Sequence, residues 1–303
     1  MQHHTYHKMG LFFEGTDLEG LAERGRALAL IPNIQARKRR IGDLAQEEAI
    51  FLRAKKEITR EMEADFPAAA WFRDNYYILE KTLRELDIAY YDIVLAPAPL
   101  MERGEYAGRT RISALAESLV ELSQGNVSHE KITVFLEAYQ ELKPLSVREL
   151  LAFVEYVKAA ILRLLATAVE YMQDMIQTRR KAAEAAKKIS GGSPLSETLD
   201  REQKENSALL EMLWERLGRE REKEGVREEI LSLLAMHDTT VEEAVRAEHI
   251  KRMQLKNIMR DSVNSLKNLA TLDRRQLVTG LSRTCLLYTS GRQIPTLAGY
   301  TRR

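Results

Sequence analysis

Residues 147–188 read VRELLAFVEYVKAAILRLLATAVEYMQDMIQTRRKAAEAAKK, and the fold turns on this stretch. It holds no Gly and no Pro and is dominated by Ala, Leu, Glu, Arg and Lys, which lose little freedom on entering a helix. Just before it, Pro144 breaks the preceding run. Ser146 and Glu149 have the three-residue spacing of a capping box, in which each side chain satisfies the other's free backbone donor. Gly191, Gly192, Ser193 and Pro194 form the strongest breaker in the chain. The pattern predicts one long helix from Val147 to about Lys188. Its most apolar part, Leu150 to Met172, is interrupted by Glu155, Lys158, Arg163 and Glu170, short of the roughly 18 uninterrupted apolar residues of a membrane span. No transmembrane helix is expected, and the segment should be soluble.

Helical stripes recur on both sides. A run from about Leu18 to Leu30 is ended by Pro32, and a heavily charged one extends from about Ile34 to Met62. Pro67, tolerated in a first turn, opens a run in which Trp71, Ile78, Leu79, Leu83 and Leu86 share a face. From Tyr90 to Gly108, with Pro97, Pro99 and Gly104, no period survives, which predicts an ordered loop. Ile112, Leu115, Leu119 and Leu122 make a stripe stopped by Gly125-Asn126. Ser128 then caps a run through Ile132, Phe135, Leu136 and Tyr139, completing a helical hairpin.

Beyond the Gly/Pro break, Leu209, Leu210, Leu213 and Leu217 form another stripe beside Trp214, and Gly218 and Gly225 bracket a charged stretch before Ile230 to Met236. Thr239 with Glu242, or Thr240 with Glu243, is a second capping box, opening a helix through Val245, Leu255, Met259, Val263, Leu266 and Leu269. No fixed-period repeat emerges. The expected fold class is all-α, a multi-helix bundle or array with several long helices and no β-sheet. The expected organisation is a flexible N-terminus (1–17), a helical subdomain (18–190), a Gly/Pro hinge (191–194), a second helical subdomain (195–281) and a foreign or disordered tail (282–303).

At 303 residues and 45% hydrophobic content the chain has enough apolar surface for a core. A formal net charge of +1 provides no field to draw in nucleic acid. The single cysteine, Cys285, excludes an internal disulfide framework and fits a reducing compartment. Met1 to Gly10 lacks the apolar core of a secretory signal, so export through a cleavable signal is not expected. His3, His4 and His7 within it read as a frayed tail rather than a metal site.

Catalytic patterns are sparse. Neither the dinucleotide fingerprint nor the phosphate-binding loop occurs, and no Asp-x-Asp is present to hold a divalent ion against a diphosphate. His129, His237 and His249 lack a Glu three residues earlier, which discards a di-iron bundle. The many Glu residues read as solvated helix faces rather than a glycosidase pair. Arg109 and Arg111, at a loop-to-helix junction, are expected to form local salt bridges. The densest aromatic and polar cluster is Trp71-Phe72-Arg73-Asp74-Asn75-Tyr76-Tyr77. Trp71, Asp74, Asn75, Tyr76 and Tyr77 are the candidate structural or sugar-contact residues. The core reading is preferred, with Asp74 or Asn75 tying down the following loop by hydrogen bonds.

At this cluster the chain resembles a known family. Ala70-Trp71-Phe72-Arg73-Asp74-Asn75-Tyr76-Tyr77-Ile78-Leu79-Glu80 is similar to the Trp-x-x-Asp-Asn-x-x-x-x-Glu run in the N-terminal region of cyclic β-1,2-glucan synthases. Tyr90-Tyr91, Tyr139-Gln140-Glu141, Pro144-Leu145-Ser146 and Glu149-Leu150 follow in the same order. So do Glu242-Glu243, Glu248-His249, Asn264-Ser265-Leu266 and Leu272-Asp273. The resemblance covers about Leu18 to Leu281. Arg274 stands where the family has a tryptophan, and the stretch Cys285 to Ser290 reads as foreign to it.

The resemblance implies a large inner-membrane parent. Its helical N-terminal region precedes a transferase that builds and cyclises a β-1,2-glucan from UDP-glucose, followed by a phosphorylase-like module. The chain is then expected to be a segment truncated before those modules, with no catalytic residue, metal or cofactor of its own. Its expected partners are the transferase and membrane modules, together with the β-1,2-glucan chain, on the cytoplasmic face of the bacterial inner membrane. A free-standing helical interaction or scaffold protein is the alternative, and an enzyme with an unrecognised carboxylate site ranks third.

Overall fold

The computed structural model describes residues 15–34, 44–59, 62, 66–93, 98–218 and 223–282. His3, His4 and His7, residues 35–43 of the expected charged helix, and the tail from residue 283 with Cys285 lie outside the described residues. The order is α1 (Leu18–Leu30), β1 (Asn33–Ile34), α2 (Ala45–Glu57), α3 (Pro67–Asp74), α4 (Tyr76–Ile93), β2 (Leu100–Met101), α5 (Arg111–Leu122) and α6 (His129–Gln140). It continues with α7 (Val147–Ser190), α8 (Leu195–Thr198), α9 (Arg201–Lys204), α10 (Ser207–Leu217), α11 (Glu224–Met236), α12 (Val241–Thr271) and α13 (Arg274–Leu281). The chain is predominantly all-α, as expected, and α7 is the long helix that residues 147–188 predict.

Helix ends follow local chemistry. Asp17 caps α1 by accepting a hydrogen bond from Gly20 N at 2.9 Å, and the helix stops before Pro32. The capping box at α7 forms: Ser146 N donates to Glu149 Oε2 at 2.9 Å and Glu149 N donates to Ser146 Oγ at 3.3 Å. Arg111 grips the same carboxylate with two hydrogen bonds of 2.6 Å. Burial opposes ionisation of Glu149, yet the bonds from Arg111 and Ser146 hold its carboxyl below the ordinary range. The other expected box forms between Thr240 and Glu243. In α2, Glu47 and Glu48 sit in the first turn and Lys55 and Lys56 in the last, matching the helix dipole.

Several features depart from expectation, beginning with the charged run expected from Ile34 to Met62, in which Ile34 belongs to β1, the helix spans Ala45–Glu57 and Ile58 is extended. A two-stranded antiparallel pair exists, with Asn33 opposite Met101 and Ile34 opposite Leu100. Leu100 and Met101 are buried, so their backbone groups need partners, and Met101 N donates to Arg109 O at 2.8 Å while Gly108 N donates to Met101 O at 2.8 Å. The run opened by Pro67 is two helices: at Asn75 (φ −112°, ψ 11°) the backbone leaves helical geometry, and the side-chain amide shares Trp71 O, at 3.0 Å, with the residue's own backbone N–H at 3.2 Å. Helix α4 then continues through Tyr90 to Ile93, where a loop was expected.

Cα packing divides the chain into two compact units. The first holds the described residues of Leu44–Leu79 and Arg163–Val263, the second those of Glu14–Asp43, Glu80–Leu162 and Asn264–Arg303. In the first unit, Gly191 to Pro194 make the turn after α7, with Gly192 at φ 96°. Ala182, Ala185 and Ile189 before this turn and Leu195 and Leu199 after it join one apolar cluster with α10 and α11.

In the second unit α1 lies along α6 and buries Leu21 and Leu28. Two buried polar ties support it: Val127 N donates to Ser265 Oγ at 2.8 Å, and Gln140 Nε2 donates to Leu281 O at 3.0 Å. Gly25 sets how closely α1 approaches α6. A Cβ there would stand 2.6 Å from Phe135 O and 3.2 Å from Tyr139 N, both backbone atoms. Gly25→Ala is expected to destabilise the protein by about 1–3 kcal/mol in urea unfolding. Leu30→Ala, at a site 70% exposed, should change it by less than about 0.5 kcal/mol. Equal effects of the two would show that α1 does not depend on this approach.

Candidate functional site

The aromatic cluster does not form one surface. Asn75 and Tyr76 are buried, Tyr77 is 59% exposed, Asp74 faces solvent, and Trp71 is half-buried. The break at Asn75 turns successive side chains to different sides. The core lies on the Phe72 side: its ring is fully buried, 6.2 Å from Phe51 and 5.7 Å from Tyr76 in an edge-on contact. The Lys55 ammonium stands 4.0 Å from the centre of the Tyr76 ring. Asp74 pairs with its neighbour Arg73 at 3.7 Å. The Asn75 side-chain amide donates to Trp71 O in the preceding turn, at 3.0 Å.

Arg109 and Arg111 do make salt bridges, to Glu117 and Glu149 respectively, within the second unit. Both belong to the helix junctions that they join.

Packing in the first unit assembles a cleft that no sequence motif marks. It measures about 500 Å³ and is lined by Tyr171, Asp174 and Thr178 of α7, by Glu202 and Glu205 at α9, by Ala208 and Met212 of α10, and by Glu248 and Lys251 of α12. Tyr171, Asp174 and Thr178 are spaced three and four apart and share a helix face, as do Glu248 and Lys251. That spacing was legible, but such spacings recur throughout a chain with 30% charged residues. Nothing local distinguishes these from solvated faces.

The charges behind the cleft are unusual. Glu248 is 4% exposed, with Arg252 Nε 3.7 Å from its Oε1. Glu211, 3% exposed, has no hydrogen bond to its Oε2. Burial, with Glu215 and Glu248 adding like charge and Arg252 and Arg179 opposing, pushes the Glu211 carboxyl up to about 7. Burial and the carboxylates of Glu248 and Asp174 push the Tyr171 phenol up to about 12. The guanidinium carbons of Arg179 and Arg252 lie 5.9 and 5.7 Å from the centre of the Phe66 ring. Among the described residues, no group of three or more His, Cys, Asp or Glu is placed to hold a metal ion. The cleft presents carboxylate acceptors, an ammonium and a phenol, a set suited to hydrogen bonding with a polar ligand.

No protein-family model matches the chain. The chain is 26% identical over 241 residues to the cyclic beta-(1,2)-glucan synthase NdvB of Rhizobium meliloti (strain 1021). The alignment takes in 75% of this chain and 8% of that protein, so the chain spans a small part of its relative's length. The relationship is distant.

Proposed function

We propose that the chain is a non-catalytic helical segment of a larger enzyme related to cyclic β-1,2-glucan synthases, acting as a scaffold for modules that transfer glucose from UDP-glucose and close the glucan ring. The observation that carries this reading is the extent of the alignment, 241 residues running along a predominantly helical chain. Two further features support it. No helix among the described residues is long and apolar enough to cross a membrane, which suits a segment beside, rather than within, the membrane-embedded modules. Val147 and Leu151, one turn apart at the start of α7, and nearby Leu142 are 40%, 43% and 52% exposed, an apolar face available to another module. In the parent, this segment lies on the cytoplasmic side of the inner membrane.

The test is to read the genomic frame downstream and to assay the purified chain. A frame that continues into membrane spans and a sugar-transfer module is the expected result, with no turnover of UDP-glucose by the chain alone. A natural stop codon near Leu281 would overturn the reading in favour of a free-standing helical interaction protein. Turnover by the chain itself would remove the word non-catalytic. Trp71 serves the core in this reading, so any β-1,2-glucan binding should survive Trp71→Ala. Its loss in a folded variant would assign the aromatic cluster to sugar contact.

A further inference from the structure

Glu211 lies in the middle of α10, on the helix whose Ala208 and Met212 line the cleft. The residue is 3% exposed, and its buried Oε2 accepts no hydrogen bond. A carboxylate taken from water without a partner is strongly disfavoured, whereas the neutral acid is tolerated at the same place. The charged groups facing it come from three helices. Glu215 is one turn along α10, Glu248 and Arg252 are on α12, and Arg179 is on α7. The two carboxylates repel a charge on Glu211. The two guanidiniums do not bond to it: Arg252 is directed to Glu248, and both guanidiniums stand over the Phe66 ring. A charge at Glu211 Oε2 therefore has no hydrogen-bonded partner and feels Arg252 and Arg179 only at longer range, whereas Glu248, a cleft-lining residue, is paired with Arg252.

We infer that Glu211 is a proton-operated latch on the cleft: protonated, it lets α10 pack into the first unit and hold the cleft's lining in place, and deprotonated, it loosens α10. The inference is independent of the synthase relationship, because it rests on burial and partners alone. The working range follows from the position of the group. An ordinary glutamate titrates near 4.5, and Glu211 in the folded chain near 7. Its folded value is raised, so its stabilising contribution is complete below about 4.5, and is lost as pH rises through about 7.

The experiment uses the whole chain and two readouts. The first follows hydrogen exchange at the amides of Leu209, Leu210 and Leu213, corrected for intrinsic exchange, between pH 5.5 and 8.0. In the wild type the opening equilibrium should rise by up to about tenfold per pH unit until Glu211 is ionised, the limit for one proton released. In Glu211→Gln, a neutral isostere of the protonated acid, it should stay flat, whereas Glu215→Gln should keep a pH dependence. The second readout is carboxyl titration by carbon-13 NMR in the unsubstituted chain, which needs no variant to fold. A Glu211 midpoint in the ordinary carboxylate range, or equal pH dependence of the wild type and Glu211→Gln, overturns the latch.

Discussion

Phe72→Ala is expected to destabilise the protein by about 3–5 kcal/mol, the range for removing a fully buried aromatic ring and leaving a cavity. The ring has no solvent exposure and contacts both Phe51 and Tyr76, so its neighbours cannot close the space without moving α2 or the start of α4. Tyr77→Ala, five residues along the same aromatic run and 59% exposed, should cost less than about 0.5 kcal/mol. Urea unfolding of the two variants beside the wild type measures both. The contrast decides what the cluster is for, because a run of aromatics held for sugar contact would lose binding with Tyr77 or Trp71 and not depend on Phe72. Similar costs for Phe72→Ala and Tyr77→Ala would sink the core assignment.

Lys158→Met is expected to cost about 3–5 kcal/mol, the penalty for stranding a buried charge. Lys158 is 2% exposed, with its ammonium 3.3 Å from Glu85 and 3.6 Å from Glu155. Glu155 is itself 1% exposed and is also reached by Arg274 from α13. Removing the ammonium leaves the Glu155 carboxylate with Arg274 alone in a site closed to water. The double variant Lys158→Met/Glu155→Gln should recover much of the loss, because neither desolvated charge remains, and Arg274, half-exposed, returns to solvent. Strict additivity of the two single costs in a double-mutant cycle would show that the pair is not coupled.

These two residues also show how far the sequence could be read. Glu155 and Lys158 interrupt the apolar run of residues 147–188, and on that ground a membrane span was ruled out. The spacing carries the helix, and α7 forms with its capping box as read. What the run could not reveal is that the interruptions are themselves buried. Whether a lysine faces water depends on Glu85, 73 positions earlier, and on Arg274, 116 positions later, arriving at the same place. The candidate site has the same history. Trp71, Asp74, Asn75, Tyr76 and Tyr77 stood out because they are adjacent in the chain, yet the break at Asn75 scatters them. The cleft is made of residues from helices far apart in sequence, each of them an ordinary member of a polar face.

The sequence by itself determined several helix ends, since the caps at Ser146 and Thr240 and the stops at Pro32 and Gly192 are settled among groups within about one helical turn of each other. It also determined the all-α class, through periodicity, and the distant relationship to a glucan synthase, through the order of short motifs. Tertiary structure alone decided the close approach at Gly25, the pairing of Asn33–Ile34 with Leu100–Met101, the burial of Lys158 and the isolation of Glu211. The physical reason is common to all four. A cap is satisfied by its neighbours in the chain, whereas burial and charge pairing are set by whatever surface the remaining helices bring up.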